Sequence, residues 1–315
     1  MKLVTPITVP SGKPQIDYNS DIVLLGSCFA QNIGNKLEYF QFRQITNPLG
    51  IIFNPVSLEL LVTRAINKDV FTEEDIFFHN ERWHCFQSHS VLSATTKEAL
   101  LDNLNMGLLK LHKGIAKASH MIFTYGTAWV YRHIDSDSIV ANCHKVPQKR
   151  FLKELLTPVQ IESAIDNMET LIRYVNPSVT FIHTVSPVRH TKDGMMENAR
   201  SKAHLLTAVH ENISPRDRSH YFPSYEIVMD ELRDYRFYSE DLVHTNETAI
   251  SIIWERFAAT WIDPSTEETR KQVRQIRQGL AHSPFNPDGE AHGLFLKDLN
   301  EKIEAVKGQY PHMTF

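Results

Sequence analysis

The sequence predicts an α/β domain built on a mostly parallel β-sheet, with hairpin insertions and a helical C-terminal tail. Short apolar runs at residues 22–25, 42–46, 121–125, 179–185 and 225–229 alternate with segments of helical periodicity, the pattern of strands joined by helical crossovers. Several of those helical segments open on recognisable capping sequences. At 315 residues, 42% hydrophobic and 22% charged, the chain is also long enough to bury a core on both faces of such a sheet.

The first run, Ile22-Val23-Leu24-Leu25, passes through Gly26, Ser27 and Cys28 directly into a helical pattern. The second, at 42–46, leads into Asn47-Pro48-Leu49-Gly50, whose Pro and Gly mark a turn. Residues 75–86 and 129–145 each read as two short strands about a polar turn, at Asn80-Glu81 and at 135–137, so two hairpins are expected on the sheet's rim. Thr95-x-x-Glu98 is expected to open a helix ending near Ala118. Thr157-Pro158-Val159-Gln160 combines a capping box with Pro at the first helical position, opening a helix that ends near Tyr174. Helices at 197–213 and 247–261 follow the fourth and fifth runs. Beyond Trp261 the composition shifts through Pro264-Ser265 to a charged stretch, then to "SPFNPDG" and a last helix carrying Leu294, Leu299, Ile303 and Val306. The expected division is an α/β domain over 15–262 and a helical extension, 263–315, packed on it.

Bulk properties exclude several classes. A net charge of −4 and a pI near 6.5 leave no surplus of Lys and Arg to follow a phosphate backbone, so nucleic acid is not an expected partner. The 16 His are scattered, without H-E-x-x-H or paired Cys/His spacing, and no metal is expected. Three cysteines, an odd number, read as free thiols in a reducing compartment. The N-terminal "MKLVTPITVP" lacks an apolar signal core and no apolar run is long enough to span a bilayer. A cytoplasmic chain without a membrane span is therefore expected.

In open α/β sheets ligands collect at the carboxyl ends of the strands. Those ends carry Gly26-Ser27-Cys28, Asn47 to Gly50, Gly126-Thr127 and Ser186-Pro187-Val188-Arg189-His190, and Asp241 and His244 of "DLVHTN" precede the final domain helix. A hydroxyl, an imidazole and a carboxylate on one rim suit nucleophilic acyl chemistry. A serine is a weak nucleophile until an imidazole accepts its proton, and the imidazole works best when a carboxylate fixes its tautomer. Ser27, His244 and Asp241 fill these roles. Gly26 permits a sharp turn, and the N–H groups of Ser27 and Gly50 are expected to face a developing oxyanion. Serine at a strand–helix junction is also an ordinary N-cap, and the G-x-S-x-G elbow is absent.

Gly26-Ser27-Cys28-Phe29-Ala30, with "NPLGIIFNP", "YGTAWVY", "NCHKVP", "TVSPVRH" and "YFPSYEIVMDELRDYRFY", resembles the GSCFA family over roughly residues 15–260. That family looks like a branch of the SGNH (GDSL-like) esterase and acyltransferase group. The resemblance implies a three-layer α/β/α sandwich with a flavodoxin-like sheet, Ser27 as nucleophile, Gly50 as an oxyanion-hole glycine, and Asp241 and His244 as the late D-x-x-H. One departure stands out: the Asn of the G-x-N block is missing, since Gly126-Thr127-Ala128 occupies that place. Asn142 is the expected substitute, because a carboxamide supplies the same donor, with Thr127 the alternative.

His144, Arg189 and His190 are expected near the rim as basic groups that meet a substrate anion; the alternative is a structural ion pair with Asp193 or Glu197. Cys28 is expected to be a small buried thiol. The expected function is thus a serine esterase or acyltransferase acting on a small-molecule or glycan ester, of a carbohydrate or lipid, through an acyl-enzyme on Ser27 and with no cofactor. Whether water or a second alcohol resolves that acyl-enzyme depends on how the loops exclude water. The rival is a non-catalytic ligand-binding module that keeps the fold, supported by the missing asparagine.

Overall fold

The computed structural model describes residues 5–315. In chain order the elements are β1 (Asp21–Gly26), α1 (Cys28–Tyr39), β2 (Arg43–Thr46), α2 (Pro55–Asn67), β3 (Ile76–His79), β4 (Arg82–Cys85), α3 (Lys97–Lys117), β5 (His120–Tyr125), β6 (Trp129–His133), β7 (Ser138–Val140) and β8 (Phe151–Leu155). Then come α4 (Pro158–Val175), β9 (Thr180–Val185), α5 (Met195–Asn212), β10 (Ser219–Tyr221), a single turn α6 (Ser224–Glu226), α7 (Glu247–Trp261), α8 (Glu267–Leu280) and α9 (Glu290–Gln309).

Five strands form one sheet in the order β2-β1-β5-β9-β10, every neighbouring pair parallel. This is the flavodoxin-like order, in which the chain reverses its direction of travel across the sheet beside β1. The three central strands, β1, β5 and β9, carry buried apolar residues on both faces, as a sheet covered by helices on each side requires. Their alternation sends Val23, Leu25, Met121, Phe123, Tyr125, Phe181 and Val185 into one core, with α2 to α5. Ile22, Leu24, Ile122 and Ile182 enter the other, with α1 and α7. The architecture is therefore an α/β/α sandwich. Each such aliphatic or aromatic side chain contributes about 1.5–3 kcal/mol on burial, which makes the sheet a rigid support for the loops at its ends.

Side chains set the helix starts as the sequence leads one to expect. Asn54 caps α2 by accepting from Ser57 N–H at 2.8 Å. Thr157 and Gln160 complete the capping box of α4, and Asn246 caps α7. Helix α3 begins one residue later than predicted: Thr96, not Thr95, caps it by accepting from Ala99 N–H. The β3–β4 hairpin turns at Asn80 and Glu81, both at positive φ, the conformation of tight hairpin turns.

Two sequence expectations are corrected. The run at 225–229 is not a strand. Its buried residues Ser224, Ile227, Val228 and Leu232 recur at helical spacing, and the chain forms α6 followed by a wide π turn over Ile227–Glu231. The fifth strand is instead the three-residue Ser219–Tyr221, which has no apolar run to announce it. The second hairpin also gains a third strand, β8, giving the order β7-β6-β8. Its sequence, Phe-Leu-Lys-Glu-Leu, reads equally well as the approach to the next helix. In the tail, Val273 and Ile276 of α8 and Leu299, Ile303 and Val306 of α9 join the α1–α7 core, whereas Leu294 faces solvent.

The closest fit in the fold lies at the end of β1. Gly26 has φ +135°, and a Cβ built there would stand 2.1 Å from the Thr124 carbonyl oxygen of β5. Gly26→Ala therefore meets both steric overlap and a forbidden backbone conformation. The variant is expected to lose at least about 3 kcal/mol in a urea unfolding titration, above the common range for single changes; a loss under about 1 kcal/mol would show that the strand end can relax.

Candidate active site

The site is assembled where β1 and β5 run side by side. Asn47, just after β2 and at φ +43°, folds its side chain back so that Oδ1 accepts the Gly26 N–H at 2.9 Å. Ser27 N–H donates to Thr124 O at 3.0 Å, so this residue is locked to both neighbours of β1. Its side chain is 1% exposed and caps α1 by accepting from Phe29 N–H at 3.3 Å. The Cys28 N–H, at the first position of α1, makes no hydrogen bond among the described residues. Such a free N–H at a helix start is a ready donor to an anion.

Asp241 and His244 form a self-contained unit in the loop before α7. Asp241 Oδ1 accepts from the N–H groups of Val243 and His244, each at 2.9 Å, and Oδ2 accepts from His244 Nδ1 at 2.6 Å. The His244 N–H, its imidazole and the Val243 N–H together hold the Asp241 carboxyl down at about 2. In the neutral imidazole the carboxylate fixes the proton on Nδ1, which leaves Nε2 with a lone pair. The pair is half-exposed. No hydrogen bond joins His244 to Ser27, whose Oγ is engaged with Phe29.

Sequence reasoning missed a further buried group, whose charge acts on Cys28 and His190. Lys202 of α5 is 1% exposed, and its Nζ donates to Gly126 O at 2.6 Å and Ser186 O at 2.7 Å, the first residues beyond β5 and β9. No carboxylate pairs with it among the described residues, and burial pulls its pKa down to about 7. Two α5 neighbours join it: Ser201 Oγ accepts Ala128 N–H at 2.8 Å and bonds Thr127 Oγ1 at 3.1 Å, and Asn198 Oδ1 accepts His190 N–H at 2.9 Å. The signal was present in the sequence. Asn198, Ser201 and Lys202 continue, at helical spacing, the buried stripe of Leu205, Ala208 and Val209. Polar residues in an apolar stripe mark a face turned toward polar backbone.

Charge also links these groups. His190, packed edge-on against Phe53 at 5.4 Å between ring centroids, is pushed down to about 4 by burial first and then by the charges of Lys202 and His244. Burial raises the Cys28 thiol, opposed by the nearby Lys202 charge and by the N–H groups of Cys28 and Phe29. The thiol beside Ser27 thus stays protonated and is a poor nucleophile.

The remaining predicted residues divide. Gly50, at φ +79°, spends its N–H on Asn47 O at 2.7 Å; with Ser27 N–H also taken, the two backbone donors expected to form the oxyanion hole are both occupied. Asn142 and Thr127 share a cavity of about 220 Å³ with Phe53, Asn54 and His190. Asn142 Oδ1 accepts His144 N–H at 2.8 Å, and the Thr127 hydroxyl is engaged by Ser201 and Trp129 N–H. His144 is corrected from its expected role. It is buried, donates Nε2–H to Cys85 O at 2.7 Å, and burial pushes it down to about 4, so it is neutral and no anion anchor. His190 is likewise neutral near pH 7. Arg189 pairs with neither Asp193 nor Glu197, which bond Lys153 and Arg200. Its guanidinium lies 3.1 Å from Met229 Sδ, and it has no carboxylate partner among the described residues.

The GSCFA family model matches residues 21–257, from the start of β1 into α7. The chain belongs to the GSCFA family. A second model, described as the C-terminal domain of GSCFA domain proteins, matches residues 273–315, which hold most of α8 and all of α9. No curated protein matches the chain. Among the described residues of this GSCFA protein, no helix is long and apolar enough to cross a membrane.

Lys202 gives the GSCFA site a testable electrostatic signature. The unfolded chain binds the lysine proton below the ordinary value of 10.5, the folded chain only below about 7. Stability from this group is therefore complete above pH 10.5 and is lost as the pH falls toward 7. Lys202→Met removes that dependence and leaves two buried carbonyls without a donor, at a cost of about 1–3 kcal/mol. In denaturant titrations from pH 10 to pH 7, the stability difference should shift in favour of the variant; a difference independent of pH would contradict the assignment.

Proposed function

We propose that this protein is a serine-dependent esterase or acyltransferase of the SGNH type, working through an acyl-enzyme on Ser27. The observation that carries this reading is the Asp241–His244 pair, in which three hydrogen bonds from one short loop fix an imidazole with Nε2 as its free acceptor. That arrangement suits a general base and has no evident structural purpose in a half-exposed loop.

In the proposed reaction His244 Nε2 takes the Ser27 hydroxyl proton as Oγ attacks the acyl carbon, and the carbonyl π electrons move to oxygen. The tetrahedral intermediate collapses, the bond to the leaving alkoxy oxygen breaks, and His244 returns its proton to that oxygen. Asp241 stays ionised throughout, stabilising the imidazolium rather than accepting a proton. Water or a second alcohol then repeats the sequence on the acyl-enzyme. For this, Ser27 Oγ must leave its bond to Phe29 N–H and turn to His244, a side-chain rotation at the start of α1. Arg189, the rim cation without a carboxylate partner among the described residues, would meet an anionic group on the substrate. A small-molecule or glycan ester fits these groups, and no cofactor enters any step.

A non-catalytic binding module is the second reading, favoured by the cap bond that occupies Ser27 Oγ. Turnover of an aryl acetate ester separates the two. Ser27→Ala should lower turnover by several orders of magnitude while costing only the roughly 0.5–2 kcal/mol of a lost cap. Ser27→Ala combined with His244→Ala should lose little more than either change alone, since both act in one step. Turnover unchanged in Ser27→Ala, or losses that add, would exclude the mechanism.

A further inference from the structure

The proposed reaction needs donors for the oxyanion, and the three expected from the sequence are engaged or lie elsewhere. Ser27 N–H is bound to Thr124 O and Gly50 N–H to Asn47 O. Asn142 lines the cavity with Thr127 and His190, and Ser27 is not among the residues of that cavity. A different carboxamide stands next to the nucleophile. Asn47 is 8% exposed, and its Oδ1 accepts the Gly26 N–H. That bond fixes the orientation of the amide, because an N–H can be met only by the oxygen. The NH₂ is thereby turned to the other side, where it is buried and has no hydrogen-bond partner among the described residues.

A buried N–H donor left unpaired is destabilising, and native structures keep few of them. This one belongs to the same planar amide that holds the Gly26 N–H, in the residue that precedes Ser27. The free N–H of Cys28 opens on the same junction from the start of α1. We propose that the Asn47 side-chain NH₂ is the oxyanion donor that replaces the missing G-x-N asparagine, acting together with the Cys28 N–H. The donor then comes from the loop after β2 rather than from the loop after β5. The unpaired NH₂ is a pre-oriented dipole: its hydrogen bond is formed when negative charge develops on the substrate oxygen, which is the condition for lowering the barrier more than the ground state.

This inference rests on the ester reading, and the test keeps the two apart. Asn47→Asp retains the acceptor for Gly26 N–H and tolerates the left-handed backbone, but has no NH₂. Asn47→Gly adopts φ +43° freely and removes the side chain. With an aryl acetate as probe, both should lower kcat by about 10²–10³ with little change in KM. Thermal melts identify which of the two variants is folded. A folded variant that keeps more than about a tenth of wild-type kcat overturns the proposal, as does a loss expressed chiefly as a raised KM. A wild-type chain whose turnover equals that of Ser27→Ala refutes the ester reading itself, and the donor with it.

Discussion

The Thr124 carbonyl oxygen accepts the Ser27 N–H at 3.0 Å in the space that any side chain on Gly26 would occupy. Everything at the site follows from that close approach. Because residue 26 has no Cβ, β1 can end flush against β5 and turn at once, so that Ser27 becomes the cap of α1 and the nucleophile candidate is held by the two central strands rather than by a loose loop. Asn47 secures the preceding peptide from the β2 side through the Gly26 N–H. The position of Ser27 is thus set by the sheet, the most deeply buried part of the molecule, and α1 then runs back along the sheet with its N–H groups facing the junction.

The second organising element is α5. A lysine ammonium buried without a counter-ion is costly, and it persists here because two strand-end carbonyls converge on it. Lys202, Ser201 and Asn198 gather the loops after β5 and β9 onto one helix, which sets where Thr127 and His190 can stand. The same positive charge keeps His190 neutral. Of the three basic groups its sequence suggests, His144 and His190 are thus neutral, and Arg189 has no carboxylate partner among the described residues. That pattern suits recognition of one anionic group beside a mostly polar, uncharged surface.

Much of this was legible from residues alone. The apolar runs of β1, β5 and β9 and the starts of α4 and α7 follow from local chemistry, and these elements fall where expected. The Asp241–His244 pair was legible for the same reason, being made inside four consecutive residues. What was missed depends on partners distant in sequence. Strand β10 has only three residues and exists because β9 offers an edge, while the apolar run after it obeys the helical period of α6 and the π turn. His144 looked cationic because nothing nearby in sequence shows that Cys85 and a buried setting hold it neutral. Lys202 and Asn47 were given no role because their partners, Gly126, Ser186 and Gly26, lie at the ends of other strands.

The account stands on Ser27 being an activated hydroxyl rather than an inert cap. Treating the full-length chain with a fluorophosphonate and locating the adduct by peptide mass spectrometry tests this most directly, since phosphonylation requires the serine to be activated by its base. The predicted result is a single adduct on Ser27 that disappears in His244→Ala. An unlabelled wild-type chain, or an adduct on Ser27 that persists undiminished without His244, would contradict it.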